Sequence, residues 1–387
     1  MSAYRREKLL LLTLVHPDFL PPVYAAAQTL RDEGYDIHIL TFDSFVPSEL
    51  PLGDHIVLET LGKHHNVSFM QRWKLRRHFL ARARKVAGES VKAVIAFCPY
   101  SFVYAMKIRK NFPVIFNSIE MADFKLKEFF KSPLNKYISY RMLKLVPDAN
   151  LVATPSIQRS AWLAGRCELE NTPLSILNTA YITMDEVDQG VHLFRSIIPA
   201  HFTEKKIVLY TGAVNDRLCV LELVKAFDAL NDPNAALIVT GMKDNDYCKE
   251  IKAYADKSAA KDRILLLPYV TRAEMLSLQH NAHVGICLSK EYEHDLESQM
   301  IAPNKAGEYL AKGLYLVATN SVYMLPLQLK GVAVLSESYT PVDISAALGK
   351  ALIAVTSPDY KTTIKNFVKE YFCMQVQLRP VIRFLNK

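Results

Sequence analysis

Residues 206–230 read KIVLYTGAVNDRLCVLELVKAFDAL. The run 207–210 is short and wholly apolar, as expected of a strand buried on both faces. Gly212 follows it at once, and residues 218–230 then carry apolar side chains at helical spacing. A strand, a glycine turn and an amphipathic helix form the first part of a βαβ unit, in which two parallel strands are joined by a helical crossover. The same alternation continues in both directions. Towards the N-terminus the apolar runs are 8–15, 35–41, 55–61, 91–97, 113–118 and 149–154. Towards the C-terminus they are 235–240, 263–267, 282–288, 315–318 and 331–335. Helix-like stretches lie between them, including 23–33, where Pro21-Pro22 favours the first turn, 272–280 and 306–311. The fold class this predicts is α/β, with two parallel sheets in two domains. Residues 181–206 are polar or irregular and should hold the boundary.

Composition agrees. Of 387 residues, 50% are hydrophobic, so intrinsic disorder is excluded, and 13 Gly with 19 Pro exclude a low-complexity chain. The net charge of +8 points to an anionic partner. Cys98, Cys167, Cys219, Cys248, Cys287 and Cys373 are scattered with no C-x-x-C pair, which suits a reducing, cytoplasmic setting. Residues 9–15 follow Arg5, Arg6 and Lys8 and superficially resemble a signal peptide, but the run is short and His16-Pro17-Asp18 interrupts it. A first buried strand fits better. There is no G-x-G-x-x-G, no P-loop and no G-x-S-x-G elbow.

Chemistry concentrates in Ala302-Pro303-Asn304-Lys305-Ala306-Gly307-Glu308-Tyr309-Leu310-Ala311-Lys312-Gly313. Pro303 and Asn304 read as a helix start. Lys305 and Glu308 then stand at i, i+3 on the first turn. The free N–H groups there and the Lys305 ammonium suit a phosphate, and the Glu308 carboxylate suits the hydroxyls of a ribose. A solvent-exposed Lys–Glu pair on a surface helix is the plain alternative.

Pro-Asn-Lys-x-x-Glu-Tyr-Leu-Ala-x-Gly followed by an apolar strand resembles the donor-binding signature of GT-B glycosyltransferases, particularly the GT4 group, the glycosyl transferases group 1. Residues 206–230 resemble the opening of that family's nucleotide-sugar domain, and 263–289 the stretch before its donor motif. The resemblance covers about 206–320 well and 1–180 only in its alternation. It implies two Rossmann-like domains facing a cleft: 1–185 for the acceptor, 200–363 for the nucleotide sugar, and a last helix in 364–387 that crosses back. It implies further that Glu308 holds the ribose, that Lys305 stands at the diphosphate with Asn304 among the donor-binding residues, and that Gly212 lets the backbone approach the phosphates. Tyr269 and Val270 would meet the base. Two positions depart: Ala213 replaces the family's arginine, leaving Arg217 as the nearest substitute, and Met300 replaces its first glutamate. Glu297 lies near but is not collinear.

In the first half, acid–base candidates follow strand ends, where open α/β sheets bind ligands. They are His16 and Asp18 after the first run, and Glu120 with Asp123 after the fifth. A base for an acceptor hydroxyl is sought among Glu120, His16 and Asp18, against the alternative that these cap helices or bind backbone. Asp244-Asn245-Asp246 reads as a turn and helix cap rather than a metal site, and residues 291–297 as a surface loop; no metal and no resident cofactor are expected. Arg72, Lys74, Arg76, Arg77, Arg82, Arg84 and Lys85 interleave with Trp73, Leu75, Phe79 and Leu80, and Lys125, Lys127, Lys131 and Lys136 continue the theme beside Phe124, Phe129 and Phe130. The surface of Arg72, Trp73, Arg76, Arg77 and Phe79 reads as attachment to anionic lipid, with a solvated basic helix as the alternative. No nucleic-acid motif supports that partner. The expected protein is a cytoplasmic glycosyltransferase, peripheral on the inner membrane face, that moves a sugar from a nucleotide sugar to a glycan or lipid-linked acceptor. A nucleotide-sugar 2-epimerase and a non-catalytic glycan- or nucleotide-binding relative stay open.

Overall fold

The computed structural model describes residues 6–43, 52–63, 67–120, 133–182, 190–291, 300 and 302–387. The chain divides into two compact units, Met1–Tyr181 with Met374–Lys387, and Ile182–Cys373.

Unit 1 is built on a parallel sheet of β1 (Lys8–Leu12), β2 (Asp36–Thr41), β3 (Ile56–Thr60), β4 (Val91–Ala96), β5 (Val114–Asn117), β6 (Leu151–Thr154) and β7 (Leu174–Ser175), in the order β3-β2-β1-β4-β5-β6-β7. β1 lies between β2 and β4, with Leu9 beside Ile37 on one side and Ala93 on the other. Leu9 and Leu11 face the core shared with α1 (Pro21–Asp32). Leu10 and Leu12 face the core shared with α2 (Phe69–Ala87), α3 (Pro99–Ile108) and α4 (Pro133–Leu145), followed in the chain by α5 (Ile157–Cys167). All four leucines are fully buried, which is why the run is continuously apolar. Each is worth about 1.5–3 kcal/mol of transfer free energy. β1 stops at Leu12 rather than Val15, because the Thr13 hydroxyl takes the Val15 N–H and turns the chain.

Unit 2 repeats the plan with β8 (Lys206–Tyr210), β9 (Ala235–Thr240), β10 (Ile264–Leu267), β11 (Val284–Cys287), β12 (Tyr315–Thr319) and β13 (Ala333–Ser336), ordered β10-β9-β8-β11-β12-β13 and parallel throughout. Its helices are α6 (Gly190–Ile197), α7 (Val220–Leu230), α8 (Asp246–Ala255), α9 (Arg272–Asn281), α10 (Asn304–Ala311), α11 (Leu325–Leu329), α12 (Pro341–Ala354) and α13 (Tyr360–Tyr371). In both sheets the strand order reverses beside the first strand, at β1/β4 and β8/β11. Such reversals leave a crevice at the carboxyl ends of the strands.

The segment 364–385 is not one helix. α13 ends at Tyr371, and α14 (Met374–Gln377) and α15 (Arg379–Leu385) follow in unit 1. The Met374 N–H donates to the Ala180 carbonyl at 2.9 Å instead of continuing the helical ladder. Pro380 then lies at the start of α15, where its missing N–H costs nothing. Met374, Leu378, Val381, Ile382 and Leu385 join the core beneath α1.

Candidate functional site

In unit 2 the site is assembled at the β8/β11 reversal. β8 is followed by Thr211-Gly212, and Gly212 has φ +119°, a backbone open mainly to glycine. The turn after β9 comes so close that a Cβ on Gly241 would stand 1.9 Å from the Gly212 carbonyl oxygen; Gly241 itself has φ +99°. The Thr211 N–H donates to the Tyr309 hydroxyl at 2.8 Å, and the two hydroxyls are 2.9 Å apart. The Tyr309 ring fits because β11 offers Gly285, where a Cβ would meet that ring at 2.5 Å. Thus α10 is bolted to the glycine turn by Tyr309, which fixes where Lys305 and Glu308 stand.

Those two side chains diverge. The Lys305 ammonium is buried 4.0 Å from the centre of the Tyr210 ring and has no hydrogen-bond partner among the described residues. Burial brings its pKa down to about 8, and the nearby Cys287 thiol is itself pushed up to about 12 by burial. Glu308 pairs with Arg272 at 2.5 Å. Neither forms the exposed Lys–Glu pair that the spacing alone allowed. Asn304 opens α10 half-buried. Tyr269 is 63% exposed and Val270 half-buried, just before the Thr271–Glu274 capping box that starts α9.

Arg217 is half-buried in the turn Asp216–Leu218, which Asn215 caps. Its carbonyl accepts the Lys290 N–H at 2.7 Å. The Lys290 ammonium bridges Asp216 at 2.6 Å and Glu222 at 2.9 Å. Burial pulls this ammonium down, but the hydrogen bonds to the two carboxylates outweigh it and hold its pKa above the usual lysine range. Lys290, Arg272, Gly241 and Gly285 were not singled out from sequence, and Tyr309 stood in the donor motif without a role. Only Arg272 left a local trace, as a cation in the first turn after a Thr-x-x-Glu cap.

In unit 1 His16 follows β1 and is buried. Its Nδ1 accepts the Asp18 N–H at 3.3 Å, capping the turn Pro17–Phe19, and stands 3.1 Å from Asp18 Oδ2. His16 therefore has the capping role weighed against a catalytic one. Glu120 is exposed beyond β5, its carbonyl accepting the Ser118 hydroxyl. Burial first, and the Glu120 charge second, raise the Cys98 pKa after β4. Asp123 lies outside the described residues, as do Phe124, Lys125, Lys127, Phe129, Phe130, Lys131 and Glu297.

The basic surface needs correction. Phe79 is fully buried against Phe42 and Tyr104, so it belongs to the core. Arg76 is half-buried, its guanidinium 4.3 Å from the Tyr100 ring centre. Lys136 is buried too. The residues α2 exposes include Met70, Arg72, Trp73, Lys74, Arg77, Arg84 and Lys85, with Arg77 over the Trp73 ring. On α4 Tyr137, Tyr140 and Lys144 are exposed. In Asp244-Asn245-Asp246, Asn245 caps α8 and Asp244 pairs with Lys249. Among the described residues no group of three His, Cys, Asp or Glu is placed to hold a metal, and no helix is long and apolar enough to cross a membrane.

Residues 196–354 match the family model described as Glycosyl transferases group 1. No curated protein sequence matches the chain. Among solved structures, HepE of Anabaena in complex with UDP-glucose is similar with a TM-score of 0.69 and 14% identity, over 98% of this chain and 99% of that one. Sucrose-phosphate synthase from Thermosynechococcus elongatus gives 0.66 and 14%, over 98% and 99%. A glycosyltransferase from Rickettsia africae gives 0.65 and 13%, over 99% and 98%. The fold is that of the GT-B glycosyltransferases, two Rossmann-like domains, and the resemblance read from the donor motif holds in both comparisons.

Proposed function

We propose that the protein transfers a sugar from a nucleotide sugar, held by unit 2 at the β8/β11 reversal, to a glycan acceptor held by unit 1. The observation that carries this is the placement of a positive-φ glycine, a buried ammonium without a hydrogen-bond partner among the described residues and a carboxylate on adjoining turns, within the segment that matches the glycosyl transferases group 1. A diphosphate supplies what the Lys305 ammonium lacks. Arg217 and the first-turn amides of α10 share the developing charge as the diphosphate leaves, and the reaction needs no metal. HepE, crystallised with UDP-glucose, supports a UDP-sugar as the first donor to try. Glu120, exposed beside the unit 1 reversal, is better placed than His16 to take the acceptor proton, because the His16 ring is buried and its Nδ1 is spent on a cap.

The acceptor is lipid-linked and the protein works on the cytoplasmic membrane face. The support is the exposed mixture of Trp73, Met70 and basic side chains on α2, with Tyr137, Tyr140 and Lys144 on α4. Aromatic and basic groups together suit an anionic interface. The test is release of nucleoside diphosphate from a panel of UDP-, GDP- and ADP-sugars, with and without anionic vesicles carrying membrane lipid extract. The expected result is slow hydrolysis of one donor, accelerated by the vesicles. Tight nucleotide binding with no turnover of any donor would favour the non-catalytic relative. Isomerisation of the donor sugar without acceptor would favour the epimerase.

A further inference from the structure

We infer that Arg272 is the positioning residue for Glu308, and that this pairing sets the preference of the donor site for ribo- over deoxyribonucleotides. The inference rests on the donor reading of unit 2. Arg272 is the first residue of α9, capped by Thr271. A cation there faces the positive end of the helix dipole, an unfavourable place unless something else holds it. The acid of that turn, Glu274, is occupied by the capping box, its carboxylate accepting the Thr271 N–H at 2.7 Å. What holds Arg272 is Glu308 of α10, with side-chain exposures of only 23% and 12% for the pair.

Two consequences follow for a bound nucleotide. The bridge occupies Oε1 of Glu308 and leaves Oε2 as the acceptor for a sugar hydroxyl, so the carboxylate meets the ligand in one orientation rather than several. It also ties the turn bearing Tyr269 and Val270 to the helix bearing Lys305 and Glu308. These belong to different crossovers, and the bridge sets the spacing between a base on one and a ribose on the other. The join is a single Nη2–Oε1 contact, and the planar guanidinium fixes its direction where a lysine ammonium would rotate freely.

The test measures affinity by calorimetry for UDP, GDP and ADP, then for the 2′-deoxy and 3′-deoxy forms of whichever binds best. The wild type is expected to prefer the ribonucleotide by about tenfold, the size of one hydrogen bond to a charged group. Arg272→Ala should bring that ratio close to one, and Arg272→Lys should leave it in between. In the Arg272→Ala/Glu308→Ala double variant the ratio should fall no further than in Glu308→Ala alone. A merely structural arginine would lower the unfolding midpoint and all affinities together, leaving the ratio unchanged. If Glu308→Ala loses the preference while Arg272→Ala keeps it, the inference is overturned and the donor site stands. If Glu308→Ala itself keeps the preference, the donor reading falls and the inference with it.

Discussion

Gly241→Ala is expected to destabilise unit 2 by about 3 kcal/mol or more and to weaken nucleotide binding with it. Two costs add: an alanine at φ +99° is strained, and its Cβ would stand 1.9 Å from the Gly212 carbonyl oxygen. Backbone cannot swing aside as a long side chain does, so the turn after β8 must move. That turn is pinned through Thr211 to Tyr309, and the displacement therefore reaches α10. Gly331→Ala is the control, because Gly331 also has a positive φ, +69°, but nothing lies within 4 Å of its Cβ position. It should cost only about 1 kcal/mol, the backbone strain alone. Denaturant unfolding of both variants measures the difference, and equal losses would remove the close approach as a constraint.

Lys305→Met should lower affinity for a nucleoside diphosphate by about a hundredfold, near the ~3 kcal/mol upper range for a hydrogen bond to a charged group. It should also raise the unfolding midpoint. A buried ammonium with no hydrogen-bond partner among the described residues is a cost in the empty protein, and methionine fills the volume without it. Loss of function with a gain of stability is what a side chain kept for a ligand produces. The pH dependence has a definite sign. The folded-state pKa of about 8 is below the usual lysine value of 10.5, so the unfolded chain holds this proton more tightly. The penalty is therefore fully present below about pH 8 and is relieved as pH rises towards 10.5. Nucleotide affinity moves the other way, falling above about pH 8 as the cation is lost. Both slopes should disappear in Lys305→Met. A variant that binds as well as wild type would take Lys305 out of the site.

The fold was largely legible because its central strands are buried on both faces. Residues 9–12 and 235–239 can hardly be anything else once every side chain in them is apolar. β7 escaped because two residues carry no pattern, and β1 ran short because Thr13 makes a turn that hydropathy does not register. The site was legible in spacing but not in direction. Lys305 and Glu308 are three apart, yet one side chain turns to Tyr210 on β8 and the other to Arg272 on α9. Both partners lie far away in the sequence, so no local window shows them. Phe79 and Trp73 illustrate the same limit on one helix. Both are aromatics among arginines, and only the rotation of α2 against the sheet buries the first and exposes the second. Gly241 and Gly285 matter for what approaches them from other crossovers, which their own neighbours in sequence do not announce.

The central claim is that the Glu308 carboxylate and the turn around it receive a nucleotide. Calorimetric titration of the wild type and Glu308→Ala with UDP, GDP and ADP tests it most directly. One of the three should bind the wild type, and Glu308→Ala should lose roughly 1.5–3 kcal/mol of that binding, about ten- to a hundredfold or a little more. Binding of none of them, or equal binding by both proteins, would contradict it.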